Sequence, residues 1–231
     1  MRRERHGGLA PGTGVLKLDL GARHPQLRKV LCLGAHCDDI EIGCGGTILK
    51  LIERQPRLEF LWVVFSGTAE RAAEAKRAAA LFLKGAAKKT IVVKHFRDSF
   101  FPYQGGAIKQ FFVGLQKQFS PDLIFTHYRD DLHQDHRLIC ELTWNAFRNH
   151  LILEYEIPKF DGDLGAPNCF VELDGAMCRR KIAHLHEAFA SQKTKLWFTE
   201  ETFRALLRLR GIECNSPGKY AEAFYGRKVV L

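Results

Sequence analysis

Along the chain, apolar positions fall into short unbroken runs, separated by segments in which they recur at every third or fourth residue. "KVLCLGA" from Lys29, "FLWVVFS" from Phe60, "TIVVKHF" from Thr90 and "LIFTH" from Leu123 are runs of the kind a strand shows when both its faces are covered. "TILKLIER" from Thr47, "AERAAEAKRAAALFL" from Ala69 and "AIKQFFVGLQKQF" from Ala107 carry apolar residues at helical spacing. Strand and helix alternate, the order that builds a parallel sheet with helices on both faces, so the predicted class is α/β with a Rossmann-like core. Beyond residue 150 come a strand "LILEYEI", a Gly- and Asp-rich loop "KFDGDLGAPN", a short strand "CFVEL" and a helix "CRRKIAHLHEAF". These predict an elaborated C-terminal part.

Residues 1–27 are rich in Gly, Pro and Arg without any period and are expected to form a basic arm, leaving 28–231 as a single domain. At 231 residues, 46% hydrophobic and 26% charged, the chain is long enough for one sizeable core. The formal charge of +9 favours an anionic partner only weakly: Lys and Arg are interspersed with Asp and Glu, with no finger spacing and no long basic block, so no nucleic acid is expected. Seven cysteines, an odd number without a C-x-x-C pair and mostly inside apolar runs, fit reduced thiols in the cytoplasm. No apolar run approaches membrane-spanning length.

In open parallel sheets ligands bind beyond the carboxyl ends of the strands. Three hydrophilic clusters fall at such ends: His36, Asp38 and Asp39 after the first strand, Ser66 to Arg71 after the second, and "HYRDDLHQDH", residues 127–136, after the fourth. A dinucleotide site is excluded. The glycines of "IGCGG", expected to form a tight loop, do not have the G-x-G-x-x-G spacing, and two carboxylates precede them where a pyrophosphate would be repelled. Imidazole and carboxylate together suit zinc, whose catalytic sites commonly offer three protein ligands. His36 and one of the two aspartates could supply two of them, and His133 or His136, three apart at a helix start, the other. Spacing does not choose between Asp38 and Asp39. Either aspartate alone would read as a helix cap and either histidine alone as a surface residue; their convergence at two strand ends favours a metal. His184 and His186, two apart on a helix, read as structural, and Cys37 and Cys44 as packing residues.

"AHCDDIEIGCGG" and "HQDH", in this order and separation, resemble the two signatures of the LmbE-like, or PIG-L, family of zinc-dependent N-acetylglucosaminyl deacetylases. Looser similarity runs through "SGTAERAAEAKRAA", "FRDSFF" and "YAEAF", with Cys37 in place of the usual proline. The resemblance implies an N-deacetylase acting on a small N-acetylated amino sugar or sugar conjugate. It implies one divalent ion per chain, zinc or another metal, held by His36, Asp39 and His136. It makes Asp38 the general base and His133, oriented by Asp135, the stabiliser of the oxyanion. Arg71 and Asp98 would contact sugar hydroxyls. A homo-oligomer is left open. Two alternatives are a metal-dependent phosphoesterase acting on nucleotides or nucleic acid, and a catalytically silent binding protein of the same fold. A two-metal site needs more ligands than these clusters readily provide, and intact Asp38 and His133 argue against silence.

Overall fold

The computed structural model describes residues 27–229; the predicted arm, apart from Leu27, lies outside the described residues. The first four strands are β1 (Lys29–Gly34), β2 (Glu59–Val64), β3 (Lys88–Val93) and β4 (Leu123–His127), each close to its predicted run. Between and after them come α1 (Asp39–Arg54), α2 (Ala69–Phe82), α3 (Gly105–Gln118) and α4 (Gln134–Ala146). The C-terminal part adds β5 (Leu151–Tyr155), β6 (Cys169–Leu173), α5 (Gly175–Ala188), α6 (Glu200–Glu213) and β7 (Tyr220–Gly226).

The strands form one sheet in the order β3-β2-β1-β4-β5-β7-β6. β1 pairs in parallel with both β2 and β4, so the chain winds outward to β3 and then returns to the other side of β1. The continuous apolar runs follow from this layering. In β1, Val30 and Cys32 enter the core beneath α1, α2, α5 and α6, while Leu31 and Leu33 enter a second core beneath α3 and α4. A strand clothed on both sides has no polar face to show.

Three features differ from the sequence expectation. The parallel core is as expected, but the C-terminal elaboration extends the same sheet and makes it mixed, because β7 runs antiparallel to β5 and β6. β7 and α6 were not expected as elements, and α4 only as a helix start. Finally, the glycines of "IGCGG" make no loop: α1 begins at Asp39 and continues through them. Their role is close approach. A Cβ on Gly43 would lie 2.2 Å from the ring of Tyr155, and one on Gly46 2.6 Å from Leu173, so only glycine lets α1 lie this close to the sheet. Among the described residues, no helix is long and apolar enough to cross a membrane.

Candidate metal centre

β1 and β4 are neighbours at the point where the winding reverses, and the turns beyond their carboxyl ends converge there. After β1 the chain turns through His36 into α1, with the His36 N–H donating to Asp39 Oδ2 at 2.6 Å. After β4 it runs through Asp131 into α4, whose first turn carries Asp135 and His136.

Three side chains meet between these turns. His36 Nδ1 lies 3.1 Å from His136 Nε2 and 3.4 Å from Asp39 Oδ2, and His136 Nε2 lies 3.6 Å from Asp39 Oδ1. Ligands about 2.0–2.1 Å from a tetrahedral zinc stand roughly 3.3 Å apart, so the two nitrogens and the Asp39 carboxylate, which meets each of them through a different oxygen, have about the spacing of three corners of such a site. The histidines are prepared in the way metal-binding imidazoles are, each with its second nitrogen against a carboxylate. His136 Nδ1 is 2.9 Å from Asp131 Oδ2. His36 Nε2 is 3.3 Å from Asp135 Oδ2 and 3.2 Å from Asp98 Oδ1. Burial, with His127 close by, lowers the His136 pKa to about 3, which keeps this imidazole neutral with a lone pair to offer. The donor set therefore fits a divalent ion. His36 with His133 and His136, Asp39 with His127 and His136, and His36 with Asp98 and Asp135 also converge, each sharing at least one residue with this group.

The adjacent aspartates behave differently. Asp38 is the N-cap residue of α1, yet its side chain makes no cap bond. Its Oδ1 lies 3.0 Å from Arg71 Nη2, while Oδ2 is buried and has no hydrogen-bond partner among the described residues. Burial raises the Asp38 pKa and the Arg71 charge opposes it, so this is a carboxyl readier than usual to take a proton. For Asp39, burial is outweighed by the imidazoles of His136, His127 and His36, which hold it well below the usual carboxylate range.

Two expected contacts take another form. Asp135 does not reach the His133 ring with its carboxylate: its oxygens accept from the N–H groups of Ser99 (2.7 Å) and Phe101 (3.1 Å). Instead His133 Nδ1 accepts the Asp135 N–H at 3.2 Å, which leaves Nε2 to carry the proton of the neutral ring. Burial lowers the His133 pKa, with the nearby His36 contributing. The Asp135 side chain thus orients His36, and it is held in turn by the amides of Ser99, which has a φ of 62°, and Phe101. Arg71 was expected to contact substrate. The Thr68 hydroxyl caps α2 at its N–H, and its guanidinium is engaged by Asp38, by Glu74 (2.8 Å) and by Ser191 (3.2 Å). Asp98 is the open member of the group, its side chain 69% exposed, with a pKa lowered to about 2 chiefly by its hydrogen bond to His36.

Three participants were not singled out from the sequence. His127 Nε2 lies 3.1 Å from Asp39 Oδ2 and 2.9 Å from the Ala35 N–H, and its ring stacks on His136 at 3.9 Å. It is the last residue of "LIFTH", at the strand end whose position already marked the third cluster. Asp131, inside the quoted "HYRDDLHQDH", also accepts the His133 N–H, and Lys159 Nζ holds it at 3.0 Å. His184 and His186 sit apart from the centre, against Phe82 and against Phe198 and Phe203. The Cys37 thiol, pushed up to about 12 by burial, donates to the Ser66 carbonyl.

The family model described as GlcNAc-PI de-N-acetylase matches residues 31–147, a stretch holding every side chain of the centre except Lys159. Among solved structures, N,N'-diacetylchitobiose deacetylase from Pyrococcus horikoshii superimposes with a TM-score of 0.68 at 23% identity, covering 89% of this chain and 86% of that one. The conserved protein TT1542 from Thermus thermophilus gives 0.67 at 21%, covering 87% and 95%. GalB, the 4-carboxy-2-hydroxymuconate hydratase from Pseudomonas putida, gives 0.68 at 15%, covering 89% and 98%. At these identities the likenesses show a common fold, and the hydratase shows that this fold houses more than one reaction.

Proposed function

The chain belongs to the PIG-L family, and from that membership we propose that it is an N-deacetylase that hydrolyses the acetamide of an N-acetylated amino sugar or sugar conjugate, releasing acetate and leaving a free amine. His36, Asp39 and His136 would hold one divalent ion, and zinc suits this mixture of imidazole and carboxylate best. When bound, such an ion acidifies water and polarises a carbonyl oxygen.

The remaining steps fall to this chain's own groups. Asp38 accepts a proton at Oδ2 from the water that attacks the acetyl carbon, while Arg71 keeps Oδ1 in place. The new C–O bond forms as negative charge collects on the carbonyl oxygen, where His133 donates from Nε2. Collapse breaks the C–N bond, and Asp38 returns its proton to the departing nitrogen. Asp98, exposed beside His36, is placed to accept from a sugar hydroxyl.

One observation carries this reading above a silent fold: a buried carboxylate oxygen without a partner among the described residues, on the residue next to one of three converging candidate metal donors. A binding protein would gain nothing from leaving that oxygen unsatisfied, since an orphaned buried acceptor costs stability. The test is a mass-spectrometric screen of N-acetylated amino sugars and their nucleotide, lipid and secondary-metabolite conjugates for loss of one acetyl group, with and without chelator. Chelator-sensitive loss of acetyl from at least one class is expected. Addition of water across a carbon–carbon double bond, with every acetamide left intact, would overturn the proposal.

A further inference from the structure

The middle of α1 is bonded in a way that an isolated helix would not be. In an α-helix, the amides of Gly46 and Thr47 point at the carbonyls four residues back, Ile42 and Gly43. Here both amides donate to one side chain from β7, Gly46 N–H to Glu222 Oε1 at 2.7 Å and Thr47 N–H to Glu222 Oε2 at 2.6 Å. The Ile42 carbonyl accepts from Lys181 Nζ of α5 at 2.6 Å, and Lys181 Nζ stands 2.6 Å from Glu222 Oε1. The two side chains are 3% and 1% exposed. Gly46 leaves room for this arrangement, since a Cβ there would lie 3.0 Å from Glu222 Oε1.

A buried ion pair is seldom the most stable filling for such a space, because well-packed apolar residues often do as well or better. What an apolar pair cannot do is bond to the backbone. Glu222 and Lys181 grip α1 at the joint between its first turn, which carries Asp38 and Asp39, and the remainder, which packs on the sheet. The first turn has a second support on the same sheet-facing side, where Gly43 lies against Tyr155 and the Tyr155 hydroxyl donates to the Leu33 carbonyl at 2.6 Å. Among the described residues, the bonds of Glu222 and Lys181 go to the α1 backbone and to each other, and none to a side chain of the centre.

We propose that Glu222, held by its counter-ion Lys181, is a positioning residue for the metal centre: by bonding to two backbone amides of α1 it fixes where the first turn presents Asp39 to His36 and His136. The proposal rests on the metal-site reading above, and its test separates the two. Apo protein is titrated with zinc alone, and thermal unfolding is followed in parallel. In the double variant Lys181→Met with Glu222→Gln, both charges leave together. It should unfold near the wild-type temperature, yet bind zinc about 10–100-fold more weakly, the usual effect of losing support behind a ligand. Lys181→Met alone, which keeps the carboxylate on both amides, should lose thermal stability and retain most of its zinc affinity. Phe198→Leu, a change in the same core among the rings of Trp197 and Phe203, should lower the melting temperature and leave zinc affinity alone. If the double variant does not fold, Glu222→Asp keeps the charge for Lys181 but withdraws the carboxylate from the amides, and it should show the same loss of affinity. A folded double variant or Glu222→Asp protein that binds zinc as tightly as wild type overturns the positioning role. Absence of zinc binding in the wild type overturns the metal site itself.

Discussion

Replacing Asp38 by Asn separates chemistry from architecture at this centre. Asn can still offer its oxygen to Arg71 Nη2, now 3.0 Å from Asp38 Oδ1, and its amide nitrogen takes the place of Oδ2, which has no partner to lose. No cap bond is lost either, because Asp38 makes none. What disappears is the ability to accept a proton. The expected fall in turnover at saturating metal is roughly 10²–10⁴-fold, the usual contribution of a general base. That corresponds to about 3–5 kcal/mol of barrier. Metal affinity should hardly change, since Asp38 is not among the three converging donors. Asp39→Asn gives the opposite profile: an anionic donor becomes a neutral amide, zinc binds more weakly, and excess zinc restores part of the activity. The assay compares zinc dissociation constants with metal-saturated kcat for both variants on one confirmed substrate. The reasoning fails if Asp38→Asn loses the metal while Asp39→Asn keeps it, or if Asp38→Asn turns over at a near-normal rate.

Asp131→Asn weakens the acceptor at His136 Nδ1 and should reduce zinc affinity by about 10–100-fold, measured by competition with a chromophoric chelator. Glu41 is fully buried with neither oxygen partnered among the described residues, and burial raises its pKa well above the ordinary value. A carboxyl with a raised folded-state pKa contributes stability that is complete below its unfolded pKa of roughly 4.3 and is lost as pH rises toward the folded value. Glu41→Gln should therefore match wild type near pH 4.5 and gain on it by about 1.4 kcal/mol for each pH unit above, up to the folded pKa; urea midpoints that differ by the same amount at pH 5 and pH 8 would contradict this. Gly43→Ala drives a methyl into the Tyr155 ring and should cost about 1–3 kcal/mol, read as a lowered melting temperature.

The sequence made legible whatever depends on local periodicity or on strand ends. The strands beside β1 show as unbroken apolar runs because helices cover both faces of the sheet, and the clusters of His36 with Asp38 and Asp39 and of His133 with His136 stand out as ionisable groups at the ends of such runs, although only the family resemblance chose Asp39 and His136 within them. What could not be read depends on residues distant in the chain. Whether a glycine serves a turn or a close approach is decided for Gly43 by Tyr155 and for Gly46 by Leu173 and Glu222, all more than 100 positions away. β7 was missed because Glu222 interrupts its apolar pattern, and that glutamate can be buried only because α1 and α5 supply its partners. The resemblance implied that Arg71 would contact sugar hydroxyls, but the fold turns it onto Asp38, Glu74 and Ser191, partners its local sequence does not reveal.

The two halves of the centre are unequal in kind. The turn after β1 supplies His36 and Asp39 as proposed donors and Asp38 as the proposed base. The stretch from β4 into α4 supplies one proposed ligand, His136, but also the carboxylates behind both histidines, Asp131 behind His136 and Asp135 behind His36. Each carboxylate is in turn held from a different neighbouring loop. Asp135 is fixed by the amides of Ser99 and Phe101, after β3. Asp131 is fixed by Lys159, beyond β5, whose ammonium also binds Asp163, the acceptor for the Leu132 N–H. Both of those loops expose apolar side chains, Phe100 and Tyr103 in one, Phe160 and Leu164 in the other. A substrate large enough to press on either loop would be felt at the imidazoles through a single carboxylate, without touching the donors themselves. Asp98 extends the path on the first loop, since the same short segment places its carboxylate on His36 and the Ser99 amide on Asp135. Substitutions at Ser99 or Lys159 should therefore alter zinc affinity as well as substrate binding, whereas substitutions at Tyr103, which has no bond to the centre, should alter substrate binding alone.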